Sequence, residues 1–163
     1  NASLTSVYNI PDSVTNMDYS FAGCSSLKDI GKLPSSLTTA QYTFNTCTNF
    51  NQKLDSLGFL NHQKLTNCTG IFFGNSNRTG TADFPISVTD ATKAFNGTNI
   101  TEVNFNNNKN YQITTLEQTF QNCTALTTCN RIPSSVTNLN YCFNNSILNK
   151  LPIFNNSESK YLL

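Results

Sequence analysis

The sequence predicts a mainly β fold, a solenoid of about six stacked coils of 23 residues with short parallel strands. Two observations support this prediction. Six copies of one unit recur along the chain, and each copy is too short to enclose a core of its own. The apolar residues also come in short clusters between turn-forming residues, and no segment sustains the 3.6-residue apolar period of a helix. Because the copies cover most of the chain, we expect residues 1–163 to form a single domain.

The repeat is recognised by a phenylalanine that follows Val, Leu or Ile by seven residues and Thr by six. The six matching segments start 23, 28, 23, 25 and 23 residues apart: VTNMDYSF from Val14, LTTAQYTF from Leu37, LTNCTGIF from Leu65, VTDATKAF from Val88, ITTLEQTF from Ile113 and VTNLNYCF from Val136. The two longer spacings contain inserts around LDSLGFLNHQ and NFNNNKN. Extra residues of this kind form loops on one face of a repeat stack.

Stacking at the parallel strand spacing of about 4.8 Å places equivalent side chains over one another. The six repeat phenylalanines are therefore predicted to form one continuous aromatic row, the Phe row: Phe21, Phe44, Phe72, Phe95, Phe120 and Phe143. The Val, Leu and Ile residues that open each copy form a second apolar row. Loss of one buried Phe from such a row destabilises a protein by about 3–5 kcal/mol.

The composition excludes several classes of function. Only 12% of the residues are charged and the net charge is +1, whereas the chain contains 26 Asn, 22 Thr and 16 Ser. The basic residues are scattered singly, which argues against a nucleic-acid partner. No run of 18 apolar residues occurs, so the sequence predicts no membrane span. The first residues already fit the repeat, and we expect any secretion signal or anchor to lie outside this segment.

The strings VTNMDYSFAGCSSLKDI and SLTSVYNIPDSVTNM resemble the BspA-like leucine-rich-repeat surface proteins. The pattern VTNM-x-x-x-F-x-x-C is most similar to the variant found in mycoplasma-type lipoproteins. The resemblance implies a leucine-rich-repeat solenoid, an extracellular or cell-surface location, and adhesion to host, matrix or neighbouring cells. It implies no shared catalytic residues. It is strongest in copies one, two, five and six and weakens in copies three and four, where the Cys is missing and the spacing of the third copy is broken.

The cysteines fall on positions that the repeat assigns to the core: Cys24, Cys47, Cys68, Cys123, Cys129 and Cys142. Three of them share one position, which other copies fill with small polar residues: Asn75, Thr98 and Ser146. This alternation predicts a buried turn position where a small side chain hydrogen-bonds the backbone. We expect six free, buried thiols. A disulfide between Cys24 and Cys47 on neighbouring copies is the alternative.

The residues needed for catalysis or metal binding are sparse, and we expect no enzyme, no cofactor and no metal. His62 is the single histidine, and it lies in the longest insert where other copies carry Pro. We interpret it as a surface residue. A catalytic triad or a Cys–His pair would require a histidine, the acidic residues are spread singly, and no C-x-x-C motif occurs.

Several features of the surface remain for function. The repeat Thr recurs in all six copies as a possible binding surface, the Thr ladder: Thr15, Thr38, Thr66, Thr89, Thr114 and Thr137. An even row of hydroxyls could bind a glycan or ice, but Thr also suits strands and stacked hydroxyls bond each other. Of eight N-x-S/T sequons, Asn77 and Asn99 are the best glycosylation candidates, because both lie in irregular segments expected to be exposed. The inserts near His62 and Asn106 are the remaining surface.

These features lead to two hypotheses from different classes. The first is a cell-surface or secreted binding and adhesion module that presents an extended repeat surface to protein or glycan ligands. The alternative is a structural subunit of an extracellular filament or coat, built by self-association through end-to-end solenoid contacts.

Overall fold

The computed structural model describes residues 1–150 and 152–154 and has a mainly β fold. Five short strands occur in it: Thr79–Ala82 (β1), Asn99–Val103 (β2), Thr128–Cys129 (β3), Arg131–Ile132 (β4) and Ile153–Phe154 (β5). Strands β1, β2 and β3 form one parallel sheet in that order, and β4 pairs with β5, also in parallel. No helix occurs in the described ranges. The predicted parallel pairing of a mainly β repeat fold is thereby confirmed.

The six repeats are joined by one continuous ladder of parallel bridges. The bridging residue always directly follows the repeat Thr, and the ladder runs through all six copies: Asn16, Thr39, Asn67, Asp90, Thr115 and Asn138. Each of these residues is paired with its equivalent in the next copy. The repeats therefore stack in sequence order and in register, as the Phe spacing predicts.

The segment after each bridge is a series of turns that bonds the next repeat through every second amide. In the first repeat these bonds are 2.8–3.0 Å long and join Met17 N to Thr39 O, Tyr19 N to Gln41 O, Phe21 N to Thr43 O and Gly23 N to Asn45 O. The amides between them close turns within the repeat, as Ala22 N does to Tyr19 O at 3.1 Å. These segments make the hydrogen bonds of a parallel sheet, but their backbone follows a series of turns, so they are not regular strands.

Left-handed backbone explains the bending. Positive φ angles occur in all six copies at the fifth and ninth residues after the repeat start, including Tyr19, Tyr42, Gly70, Lys93 and Gln118 at the fifth. A left-handed residue every few positions is incompatible with an extended strand. Gly70 is also required sterically, because the ring of Tyr42 from the preceding repeat occupies the place that a Cβ would take.

The Phe row is the centre of the core. Ring centroids of neighbouring members lie 5.8, 5.8, 5.2, 6.0 and 5.6 Å apart along the stack. The four inner members are fully buried, whereas Phe21 and Phe143 are partly exposed. A second set of buried rings comes from the other half of the repeat: Phe59 and Phe84 pack against the row, and Phe105 packs against Phe84. The row was predicted, but this second set was not.

All six cysteines are buried free thiols, which confirms the sequence prediction. The shared Cys position also hydrogen-bonds the backbone as predicted. Cys47 Sγ donates to Phe21 O at 2.9 Å, Cys123 Sγ donates to Phe95 O at 3.1 Å, and Thr98 Oγ1 donates to the same carbonyl at 2.8 Å. Each bond joins the turn to the carbonyl of a Phe row residue.

Asn75 departs from this pattern. It occupies the shared position with no exposed surface, yet neither Nδ2 nor Oδ1 has a hydrogen-bond partner. We expect Asn75→Thr to raise the free energy of unfolding by about 1–3 kcal/mol, because the Thr hydroxyl reaches the Phe72 carbonyl as Thr98 reaches that of Phe95. Urea unfolding of the reverse change, Thr98→Asn, is the matched control and should show a loss of similar size. A less stable Asn75→Thr protein would contradict this assignment.

The buried thiols make stability depend on alkaline pH. Burial raises the pKa of Cys47 and Cys123 to about 11 and that of Cys129 to about 12. Because the folded pKa lies above the unfolded value of 9.0, this contribution to stability is complete below pH 9 and is lost as pH rises through 11 to 12. We expect urea midpoints to fall steeply above pH 9. The variant Cys123→Thr, which copies Thr98, should show a shallower fall of the urea midpoint with pH. Identical slopes for the variant and the wild type would show that the thiols do not cause the pH dependence.

Candidate functional site

The two inserts line one groove with a volume of about 780 Å³. Its lining comes from residues 51–55 and Leu60 of the first insert, residues 78–81 and Asp83 around β1, residues 104–108 of the second insert, and Asn130. Strand β1 lies between the inserts, since Thr79 N donates to Asn51 Oδ1 at 3.2 Å and β1 pairs with β2 on its other side. Gly80, which has no side chain and a φ of 86°, leaves the strand open toward the groove.

The second insert is held in place by a polar network. The hydroxyl of Tyr111 donates to Asp83 Oδ1 at 2.6 Å and accepts from Asn106 N at 2.9 Å. Lys109 Nζ lies 3.2 Å from Asp83 Oδ2, and this is the single ion pair in the described part of the chain. Arg131 Nη2 donates to Asn106 O at 2.8 Å. Burial raises the pKa of Tyr111, which keeps its hydroxyl protonated as a donor to Asp83.

Amide side chains dominate the exposed lining of the groove: Asn51, Asn104, Asn106, Asn107, Asn108 and Asn130. Two of them are fixed by each other, since Asn130 Nδ2 donates to Asn104 Oδ1 at 2.8 Å. Asn130 also bonds both backbone groups of Phe105, at 2.9 and 3.0 Å. An amide presents a donor and an acceptor side by side, so this lining can bond neutral polar groups of either kind.

Arg78 is the most unusual residue of the groove. It is 3% exposed, and its guanidinium carbon lies 4.0 Å from the ring centroid of Phe72 and 5.7 Å from that of Phe50. Its Nη2 donates to Gln52 O at 2.9 Å, whereas the buried Nε has no partner. No carboxylate of a described residue lies within ion-pair distance of it. Burial lowers the pKa of Arg78 to about 9, which is the direction expected for a cation without a counter-charge.

Sequence reasoning missed Arg78, although the repeat contains the signal. In the three copies that carry the Cys, the residue three positions after it is Leu27, Phe50 or Leu126, and each of these is fully buried. The third copy puts Arg78 there. A charge where three other copies bury an apolar side chain is a departure of the kind that functional sites often show.

The Thr ladder is exposed along its whole length. Each hydroxyl donates to the backbone carbonyl of the preceding Thr, at 2.9 Å from Thr38 and at 3.2 Å from the next four: Thr66, Thr89, Thr114 and Thr137. The expectation that the hydroxyls bond each other is therefore wrong. The same carbonyl also accepts the Thr amide, as in Thr38 N to Thr15 O at 2.8 Å, and this brings the hydroxyl within reach of it. The ladder presents methyl groups and oxygen lone pairs to solvent.

His62 is not a surface residue, so that interpretation is wrong. It is 6% exposed, and its Nδ1 accepts hydrogen bonds from Lys64 N at 3.2 Å and Leu65 N at 3.0 Å. The other ring nitrogen, Nε2, then donates to Pro34 O at 2.8 Å. His62 closes the turn before the third repeat, where four of the other copies use proline. Both ring nitrogens are engaged, and the residue has a structural role.

The two glycosylation candidates differ in their surroundings. Asn77 is exposed in a turn, as expected. Asn99 is exposed but is the first residue of β2, so its assignment to an irregular segment is wrong. Its backbone amide donates to the carbonyl oxygen of Arg78, the residue directly before β1, at 2.9 Å. The sequon at Asn155 lies outside the described residues.

Searches for two other kinds of site give negative findings. In residues 1–150 and 152–154, no three His, Cys, Asp or Glu side chains are grouped so that they could hold a metal ion. Over the same residues, no helix has the length and apolar character needed to cross a membrane.

Comparison with known families supports the repeat assignment. The profile of the BspA type leucine-rich-repeat region matches six copies, over residues 1–115 and 51–161. The chain belongs to the BspA-type leucine-rich-repeat family. The number of copies is the number found from the Phe spacing, and proteins of this BspA-type family are commonly surface-associated or secreted. Neither the curated proteins nor the solved structures contain a match.

Proposed function

We propose that this BspA-type chain is a solenoid that acts as a non-catalytic binding and adhesion module at a cell surface or in the extracellular space. The groove between the inserts is the observation that supports this most strongly. It combines a volume of about 780 Å³, which is the size of a ligand site, with six amide side chains and a buried cation. Its ligand is a protein or a glycan.

The state of the reactive side chains supports binding over catalysis. The carboxylate of Asp83 in the groove accepts from the Tyr111 hydroxyl and pairs with Lys109. The six thiols are buried, and both ring nitrogens of His62 bond the backbone. A nucleophile and a base must lie within hydrogen-bond reach of each other and of a substrate. The described residues of the groove offer mainly amides, together with the cations Lys53 and Arg78, which recognise a ligand without reacting with it.

Binding can be tested with a variant that fills the groove. We expect the purified chain to bind saturably to cells, matrix proteins or a glycan array. The change Asn107→Trp, on the exposed insert, should weaken this binding by about tenfold or more, because the indole takes the space of the ligand. Asn140→Trp is the matched control on an exposed residue outside the groove. Absence of binding, or full binding by Asn107→Trp, would refute this proposal.

A second function, end-to-end self-association, is favoured by the edges of the stack. In the described residues, the amides of Tyr141 and Phe143 in the sixth repeat and the carbonyls of Asp18 and Ser20 in the first have no backbone partner. Equivalent groups bond each other between all neighbouring repeats, so the two edges are complementary. Sedimentation velocity and negative-stain imaging over a range of concentrations test this. Filaments support it, and a monomer at every concentration excludes it.

A further inference from the structure

The charge of Arg78 is compensated incompletely within the described protein. Three other copies place leucine or phenylalanine at this position, and those side chains are buried there without the penalty of desolvating a charge. The guanidinium donates to one acceptor, Gln52 O, and lies over the rings of Phe72 and Phe50. Ring faces attract a cation but accept no strong hydrogen bond. Nε is buried without a partner, and Nη1 makes no hydrogen bond to any described residue, so the Nη end of the guanidinium is the part left to donate to an external anion.

The groove selects an anion with a single, planar charge. The guanidinium fork matches a carboxylate, which it binds through two parallel hydrogen bonds. Lys53 is the other cationic side chain that lines the groove, while Asp55 and Asp83 add two negative charges to the lining. A polyanion such as a nucleic acid requires several cations along its path. The balance of charge therefore favours a ligand that carries isolated carboxylates between neutral groups.

The rest of the lining favours sugar hydroxyls over a peptide backbone. Asn104 accepts the 2.8 Å hydrogen bond from Asn130 through Oδ1, and its Nδ2 bonds no described residue, so it can donate to a sugar hydroxyl. Leu54 and Leu60 add apolar surface for the C–H face of a sugar ring. An extended peptide would need a free strand edge. Strand β1 offers a short edge only, because β2 pairs with one side and Asn51 Oδ1 already accepts from Thr79 N on the other.

We propose that the groove binds an acidic oligosaccharide, with the carboxylate of a uronic or sialic acid on Arg78 and the neighbouring hydroxyls on the asparagine amides. This inference rests on the proposed binding function and names the class of its ligand. Phe72 and Phe50 hold the guanidinium in place before the ligand arrives. A preorganised donor loses little conformational entropy on binding.

The test compares acids with their methyl esters. Calorimetric titrations use a galacturonic acid oligosaccharide, a sialylated oligosaccharide and the methyl ester of each. We expect at least one acid to bind about tenfold or more tightly than its ester, since the ester loses the charge-assisted hydrogen bonds. Arg78→Leu, which copies Leu27 and Leu126, should remain folded with an unchanged or higher Tm and should lose this preference. Lys64→Leu, an exposed lysine outside the groove, should retain it.

Each other outcome overturns the inference. Equal affinity for acid and ester, no binding of either acid, or the full preference in Arg78→Leu would remove Arg78 as the carboxylate site. Tighter binding of an acidic peptide than of both sugars, lost in Arg78→Leu, would assign the groove to a protein partner. Failure of this inference can be distinguished from failure of the proposed function. If the chain binds cells and Asn107→Trp weakens that binding while acid and ester bind alike, the groove is a binding site for another ligand.

Discussion

Replacing Phe95 with alanine is expected to lower the free energy of unfolding by about 3–5 kcal/mol. Phe95 has no exposed surface, and its ring lies 5.2 Å from Phe72, 6.0 Å from Phe120 and 5.4 Å from Phe84. The substitution therefore leaves a cavity shared by three repeats. Because repeats of this length contact only their neighbours, stability is close to a sum of interface terms, and the change weakens two interfaces at once.

The position of the residue in the row determines the size of the loss. Phe21 is partly exposed and stacks on one member of the row, Phe44, at 5.8 Å. We expect Phe21→Ala to cost about 1–2 kcal/mol, since less apolar surface is buried there. Urea unfolding followed by circular dichroism measures both changes. Equal losses for the two variants would show that the row does not act as a continuous core.

The Phe row could be predicted because its members lie at nearly constant spacing. Six copies fix the same residue at the same place, and stacking follows from the size of the unit. The second set of rings was missed, because Phe59, Phe84 and Phe105 are not preceded by the Val, Leu or Ile and the Thr that mark each member of the Phe row, so no shared motif connects them. The inserts shift these residues in sequence while the fold keeps them adjacent.

The turns were harder to predict because several of the residues with left-handed backbone are not glycine or asparagine, the residues that usually adopt it. Tyr19, Lys93 and Gln118 share positive φ with Gly70. A lone Tyr or Gln gives no local signal of this conformation, which is unfavourable for it by about 1 kcal/mol. The bonds from alternate amides to the next repeat impose it. The stack therefore determines the local structure, and reading one copy alone predicts a strand.

The two candidate binding surfaces differ in how far the sequence predicts them. The Thr ladder follows from exact recurrence, and all six residues are exposed as a row. The groove depends on two inserts 50 residues apart in sequence, which approach each other because β1 lies between them. Arg78 is visible only as an exception to the repeat. Departures from the repeat, more than the repeat itself, indicate the site.

Replacing Arg78 with leucine is expected to raise the free energy of unfolding by about 1–4 kcal/mol, because it exchanges a buried unpaired charge for the residue that the repeat uses elsewhere. The loss of the contacts with Phe72 and Gln52 O offsets part of the gain. The reverse change in the first repeat, Leu27→Arg, introduces a charge at a fully buried position and should destabilise the protein. Stabilisation by Leu at 78 together with weaker ligand binding would show that stability is sacrificed there for function.

The pH dependence of this difference identifies the charge as its cause. The pKa of Arg78 is lowered to about 9 from 12.5, so the folded state releases this proton before the unfolded state does. The penalty for burying the cation is complete below pH 9 and shrinks as pH rises toward 12.5. The stability advantage of Arg78→Leu should therefore be largest near neutral pH and smaller at about pH 10.5. Comparing wild type with the variant at each pH cancels the thiol contribution, which both share. An advantage that stays constant over this range would place its origin in packing and not in charge.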